Sequence, residues 1–486
     1  MLYEILSSLI SKKQSLLFLL CFTLINTYLI FPLEYLPEER YKFITDNKSK
    51  NKTDADMMQR FYYRFLSTSI EVGTPPRNFT FVLDSDDDRY YIASNQRPKI
   101  SNEPEREPKY FNFDKSELLN ESYSSTYNKG GCEAVDYNTY FYAELCSAKD
   151  IVVFNKSNEI IQKNFQFRMV RNNEDNIPGF LGLLYNYKDT HTRHPNFIND
   201  LRGQNLIENN YWFFKFDKIS PFDRIIQGQL IVGGLPHEIF PELYKKDDYV
   251  GFKKTRRSHF HGAWKLEFDK IYVDDKDYAY LLYNTICTIN YEMYNIIGSL
   301  EFHFRMKENF LEELLEEKKC FSGKFSQNIH HRGDLTFYYC KKEMKDFLYK
   351  NLPNIKFYSE DFGQEFELTK EELFYEKGEY IYFMILFAGI EYNYFALGQM
   401  FAAKYNFVFN TFYKEVGFYR RNHNQLGNQK KVLLNDTSIY GMGIILICFV
   451  SLLIGFMIGK KIFGKKEKKN LATELIDDGK INSNKV

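Results

Sequence analysis

The chain has no surplus of either charge. Lys plus Arg and Asp plus Glu come to 64 each in 486 residues, so the balance gives no footing for nucleic acid as a partner. Cysteine is scarce, with 7 in all, and the 9 histidines lack metal-ligand spacing. His259 and His261 would share one face of a strand and His330 and His331 adjoin a loop, but no Cys or carboxylate stands at a zinc spacing from either pair. Asp84, Asp86 and Asp88 alternate as in a calcium loop, yet position six of that loop is Arg89 rather than Gly and position twelve is Asn95 rather than Glu. No metal and no cofactor is expected. Arg332-Gly333-Asp334 reads as a turn. Long apolar runs are also few: there is one near each end, and no long basic pro-segment lies between the first of them and Arg60.

Between those runs the composition is that of a globular protein. Hydrophobic residues make up 44% and aromatics 18%, enough to bury a sizeable core and to argue against disorder. The first apolar run, Ser15 to Phe31, follows Lys12-Lys13 and reads as the hydrophobic region of a signal peptide or as an uncleaved anchor. The second, Ile439 to Gly459, carries no charge and is long enough to cross a bilayer as a helix. The basic stretch KKIFGKKEKK follows it, which puts the C-terminal tail in the cytoplasm beside anionic lipid. The expectation is a single-pass type I membrane protein whose ectodomain is extracellular or in the lumen of the secretory or endolysosomal pathway. Gly455 and Gly459 have the GxxxG spacing that would let two copies pack as a homodimer, though they also read as ordinary glycines of a membrane helix.

An exported domain permits disulfides. With Cys21 and Cys448 set aside in the apolar runs, sequence proximity pairs Cys132 with Cys146 and Cys320 with Cys340 and leaves Cys287 single; spacing alone leaves the connectivity open. Sequons at Asn47, Asn51, Asn78, Asn120, Asn155 and Asn435 agree with export as a glycoprotein. ENFLEELLEEKK, from Glu308 to Lys319, reads as an amphipathic helix with an acidic outer face.

From residue 61 to 420 the sequence is a succession of short strand patterns bounded by Gly, Pro and Asn, the mark of an all-β domain. Within it, EVGTPPRNFTFVLDSDDDRYYIAS, Glu71 to Ser94, reads as strand, Pro-Pro turn, strand, and a carboxylate at the strand end, Asp84. This segment resembles the first catalytic strand of pepsin-like aspartic proteases, in which x-G-T-P-P-Q-x-F leads through an apolar run to D-T-G-S-S. Four further segments are similar to that family in order: NIPGFLGLLYN from Asn176, GQLIVGGLPHEIF from Gly228, HGAWKLEFDKIYVDD from His261, and FALGQMFAAKYNFVFNTFYKEVGFYR from Phe395.

The resemblance implies two β lobes with a cleft between them, each lobe supplying one aspartate. The expected organisation is a signal peptide or anchor over 1–31 and a short linker or pro-segment over 32–60. A first β lobe over 61–235 and a second over 236–425 follow, then a stalk over 426–438, a transmembrane helix over 439–459 and a basic tail over 460–486. The second aspartate should end an apolar run after WKLEFDKIYVDD. YAYLLY, Tyr278 to Tyr283, is such a run, and the residue after it is Asn284, in Asn284-Thr285-Ile286. Asp274, Asp275 and Asp277 precede the run and fit a turn, with one of them as an alternative acid.

Aspartic proteolysis needs two carboxylates sharing one proton, one taking a proton from water and the other giving one to the peptide carbonyl. Asn284 could hold the water but could not move the proton. Asp86 and Ile286 stand where the family has glycine, Gln399 stands where it has aspartate, and the flap tyrosine is Tyr137, or else Tyr140 or Tyr142. Ser85, Tyr137 and Thr285 are the expected substrate contacts beside Asp84 and Asn284. The implied function is a membrane-anchored aspartic-protease-like protein, catalytically impaired, that binds polypeptide in the inter-lobe cleft. The alternatives are an active aspartic endopeptidase using Asp84 with an unrecognised second acid, and a structural or adhesive ectodomain with a vestigial cleft.

Overall fold

The computed structural model describes residues 28–37, 52–85, 90–95, 117–138, 141–156, 159–171, 179–185, 196–220, 225–254, 263–273, 282–326, 334–352, 354–389 and 395–419. Outside the described residues lie Asp86 and Asp88, Tyr140, the alternative acids at 274, 275 and 277, His259, His261, His330 and His331, and everything from Arg420 on, including the apolar run and its glycines. Among the described residues no helix is long and apolar enough to cross a membrane.

The first half of the chain contributes β1 (Leu29–Pro32), β2 (Glu34–Tyr35), β3 (Leu66–Val72), β4 (Arg77–Asp84), β5 (Tyr90–Ser94), β6 (Asn128–Asn138), β7 (Phe141–Lys156), β8 (Glu159–Arg171), β9 (Gly179–Gly182), β10 (Tyr211–Ser220), β11 (Ile225–Val232) and β12 (Tyr249–Lys254). The second half contributes β13 (Trp264–Val273), β14 (Leu282–Ile289), β15 (Ile296–Gly298), β16 (Cys320–Ser326), β17 (Asp334–Lys341), β18 (Asn354–Ser359), β19 (Gln364–Thr369), β20 (Phe374–Lys377), β21 (Tyr380–Phe383), β22 (Ile385–Ala388) and β23 (Phe395–Leu397). It closes on β24 (Phe407–Asn410) and β25 (Glu415–Tyr419). The strands form a 14-stranded and an 11-stranded sheet, mostly antiparallel, as expected for a mainly β, bilobed molecule. β12, β24 and β25 join the first sheet, so a lobe boundary at residue 235 does not coincide with the division between sheets.

Strand patterns follow from which faces are covered. β13 buries Trp264, Leu266 and Phe268, then after a one-residue slip Ile271 and Val273, each set with the period of two of a half-covered antiparallel strand. β4 pairs in parallel with β9 and is buried continuously from Phe81 to Asp84, as a strand covered on both faces must be. The β3–β4 hairpin turns through Gly73 at φ +96° and the cis Thr74–Pro75 bond. The turn is held by Ser124, whose Oγ accepts from the Thr74 amide at 3.0 Å and donates to buried Asp150 at 2.9 Å.

Two segments differ from expectation. Leu29 to Phe31, the end of the apolar run assigned to a leader, form β1 in the interior of the first sheet between β11 and β7, with Leu29 opposite Val232 and Lys156. Leu29, Phe31, Leu33 and Leu36 are buried, so a leader cut at residue 31 would remove core strand. Lys52–Tyr62, read as linker or pro-segment, is a helix packed on the second half. Tyr382 Oη donates to Asp54 Oδ1 at 2.7 Å, and the Tyr62 ring lies 5.9 Å from Phe325.

Cys132–Cys146 and Cys320–Cys340 are both bonded, each pair directly opposite across a hairpin, β6–β7 and β16–β17. Cys287 is free and buried, and burial raises its thiol pKa well above the ordinary value. The acidic amphipathic stretch from Glu308 falls on a π-helical turn, Lys307–Leu311, and the helix Glu312–Glu316, which bury Leu311 and Leu314 and continue the helix Leu300–Met306.

Candidate active site

Asp84 ends β4 where the sequence placed it. Its backbone lies opposite Gly182 of β9, its carbonyl accepts from the Leu183 amide at 2.7 Å, and the residue is 8% exposed. The surrounding pattern is β4 parallel to β9, β5 antiparallel to β9, and β5 parallel to β8. The second half repeats it: β14 is parallel to β23, β15 antiparallel to β23, and β15 parallel to β22. The chain therefore carries one structural unit twice.

This repeat assigns the residue that mirrors Asp84. In the first unit Leu83 pairs with Leu181 and Asp84 with Gly182; in the second, Ile289 pairs with Leu397, and the next residues on each strand are Asn290 and Gly398. The Asn290 amide donates to the Leu397 carbonyl at 3.0 Å. Asn290, not Asn284, thus occupies the strand end. Asn284 lies well inside β14, between Tyr283, which pairs with Lys270, and Thr285, which pairs with Phe268. Thr285 is a buried strand residue, and Ile286 pairs with Glu267 rather than following a catalytic position. The residue that follows the Asn290-Tyr291 pair, and so corresponds to Asp86, is Glu292.

A hydrogen bond joins the two units at this level. Ser85 Oγ accepts from the Tyr291 backbone amide at 3.0 Å, both residues being 1% exposed, and this sets the strand ends at Asp84 and Asn290 side by side across the lobes. Ser85 thereby joins the lobes through its hydroxyl oxygen. The tie runs one way. Ser85 carries its hydroxyl next to its own backbone, whereas the hydroxyl of Tyr291 is at the far end of a ring that packs 4.5 Å from Phe214, 6.1 Å from Phe409 and 6.3 Å from Trp212. Burial in this aromatic floor drives the Tyr291 phenol pKa upward and keeps it neutral.

The turn after Asn290 is closed by its own side chain: Asn290 Oδ1 accepts from the Glu292 amide at 2.7 Å. An amide side chain at this position has no proton to release or take up as a carboxyl would. Glu292 is 6% exposed, so a carboxyl is buried two residues from Asn290. Gln399, at the position expected for an aspartate, is fully buried. Its Nε2 donates to the Tyr291 carbonyl at 2.7 Å and to the Arg64 carbonyl, and its Oε1 accepts from Tyr35 at 3.3 Å. A carboxylate could not donate both of these bonds, which accounts for glutamine here. Gly398 before it is required by space, since a Cβ would stand 2.1 Å from the Asn295 carbonyl oxygen.

The hairpin that the flap would form is present as β6–β7, closed across Asn138 and Phe141, and Tyr137 sits at its register shift between Asp136 and Asn138. Beside this hairpin an ion pair with a buried arginine ties strand ends together. Arg171 Nη2 lies 2.6 Å from Glu121 Oε1, and Ser94 Oγ donates to the same oxygen at 3.4 Å.

The sequence route missed Asn290 and Glu292. The signal that could have found Asn290 is the partner motif: GFLG ends in Gly182, paired with Asp84, and FALG ends in Gly398, the residue after the Ile289–Leu397 pair. YAYLLY misled because it is an apolar run whose last residues, Leu282 and Tyr283, open β14, whereas the strand end lies at Asn290.

The profile of the family described as eukaryotic aspartyl protease matches residues 65–420. The chain has no match among curated proteins.

Proposed function

We propose that this chain, which belongs to the eukaryotic aspartyl protease family, binds an extended polypeptide in the cleft between its lobes and has lost ordinary aspartic hydrolysis because its acid pair is reduced to Asp84. The observation that supports this reading is the Ser85–Tyr291 bond between the two strand ends, one closing on Asp84 and the other on Asn290. In a working pair one carboxylate holds the shared proton and the other is ionised, and the roles reverse as the tetrahedral intermediate collapses. Asn290 can position water or a carbonyl by hydrogen bonding but can neither release nor take up the proton. Loss of one such group costs about 10²- to 10⁴-fold, and more where two groups act as a unit. Extended peptide would be held chiefly through its backbone, a mode that does not need the acid pair.

The buried Glu292 supports a second reading, in which it is the other acid and the protein remains an endopeptidase through Asp84 and Glu292. One experiment separates the two. The purified chain is incubated with a mixed peptide library between about pH 3 and 7, alongside Asp84→Ala, Glu292→Gln, Asn290→Asp and Asn284→Asp. The first reading expects peptide binding without cleavage in the parent, a gain of cleavage in Asn290→Asp alone, and no change in Asn284→Asp. Cleavage by the parent that disappears in both Asp84→Ala and Glu292→Gln establishes the second reading, and neither binding nor cleavage sinks both in favour of a structural ectodomain.

The same reading places the protein in the secretory pathway as a type I membrane glycoprotein anchored through 439–459. Resistance to alkaline carbonate extraction, and a C-terminal tag digested by protease added to intact vesicles while the ectodomain is protected, test that topology. Pairing of two copies through Gly455 and Gly459 would appear as crosslinking lost in Gly455→Leu.

A further inference from the structure

The hairpin joining β24 to β25 ends in two adjacent exposed aromatics, Phe412 at 58% and Tyr413 at 60%. The other large exposed apolar side chains among the described residues, such as Tyr123, Ile160, Phe304 and Phe347, stand singly in sequence. The tip is built to present these rings. Asn410 Oδ1 accepts from the Phe412 and Tyr413 amides, both at 3.1 Å, and the Thr411 amide donates to the Asn210 carbonyl at 3.2 Å. The two rings meet edge to face, their centroids 4.9 Å apart. Two cations lie against aromatic rings here. The Arg202 guanidinium is 5.6 Å from the Phe412 ring and donates to Asn210 Oδ1 at 2.7 Å, and Lys414 Nζ is 5.4 Å from the Tyr185 ring.

We infer that this tip is a bilayer-docking element: Phe412 enters the acyl boundary, Tyr413 sits at headgroup level, and Arg202 and Lys414 face anionic headgroups. The inference rests on the reading of 439–459 as a membrane anchor. Three arguments choose lipid over a protein partner. The two rings expose roughly 250 Å² together, taking aromatic side chains at ~200 Å² each, against about 800 Å² per partner for a stable protein interface. A tethered ectodomain needs only a weak second contact, because the anchor supplies a high effective concentration of membrane. The tether is short enough for this: residues 420 to 438 span at most roughly 65 Å when fully extended, measured from the end of β25, the strand that leads away from the tip. Paired apolar and phenolic rings flanked by cations match the layered chemistry of a membrane interface. Docking there would hold one fixed orientation of the cleft relative to the bilayer.

The test uses the full chain with Phe412→Trp, reconstituted in vesicles of phosphatidylcholine and phosphatidylserine with or without brominated acyl chains. The native Trp212 and Trp264 are fully buried and contribute a constant background. The expected result is that bromine quenches more than half of the added emission while aqueous acrylamide leaves it largely intact, with Tyr413→Trp showing shallower quenching. Added emission quenched by acrylamide and untouched by bromine, in a chain that has incorporated, overturns the docking element and leaves the rings to a protein partner. A chain that fails to incorporate defeats the anchoring reading itself, and the docking element with it.

Discussion

Ser85, Asn290 and Tyr291 show how little of a site lies in the identity of any one side chain. Ser85 matters through an oxygen that takes a backbone amide from the other lobe, and Tyr291 through a ring that fills an aromatic floor. Replacing Ser85 with alanine leaves the buried Tyr291 amide without its acceptor, at a cost of about 1–3 kcal/mol. The midpoint of urea unfolding should fall accordingly, and an unchanged midpoint would mean that the lobes are not tied at this bond. Asp84 could be read from its neighbours because a Pro-Pro turn, an apolar strand and a terminal carboxylate are contiguous in the chain. Asn290 could not, because its position is defined by which residue of β23 it stands beside, far along the sequence.

At the scale of elements, hairpins were the legible part. Both disulfides join residues directly opposite on neighbouring antiparallel strands, so proximity in sequence and in space coincide. Parallel pairings such as β4 with β9 and β14 with β23 were not legible, since the partners are separated by long connections and nothing local sets their register. The Glu121–Arg171 pair belongs to this class. It binds the end of β8 to the segment after β5, with Arg171 at 2% exposure. Glu121→Ala would take from that buried guanidinium the carboxylate oxygen to which its Nε and Nη2 both donate, and should cost up to about 3–5 kcal/mol, seen as a drop in thermal midpoint. Arg171→Met with Glu121→Leu, which removes both charges, should recover most of it.

Across the whole molecule, acid is expected to loosen the second lobe. His303 stacks 4.6 Å from Phe387, bonds Tyr338 Oη through Nε2 at 2.6 Å, and has its pKa lowered to about 4, first by burial and then by Lys307 and Lys324. The unfolded chain binds this proton near pH 6.5 and the folded one only near 4, so the contribution to stability is complete above 6.5 and is lost as pH falls from there towards 4. The slope from this half-buried ring stays below about 1.4 kcal/mol per pH unit. His303→Gln should flatten the acid limb of stability against pH, and an unaltered limb would remove His303 as its source.

The sequence by itself determined that the chain is a two-lobed β protein of one family, that Asp84 ends an apolar strand after a Pro-Pro turn, and which cysteines lie close enough along the chain to be candidates for pairing. Each is carried by residues close together along the chain, where strand period, turn chemistry and loop closure act locally. Tertiary structure alone decided that Asn290 ends the strand that mirrors Asp84's, that Glu292 two residues on is buried, and that Leu29 to Pro32 belong to the first sheet. Those placements depend on strand register and on the tie between lobes, and both are set by burial and hydrogen bonding among residues that local sequence does not bring together.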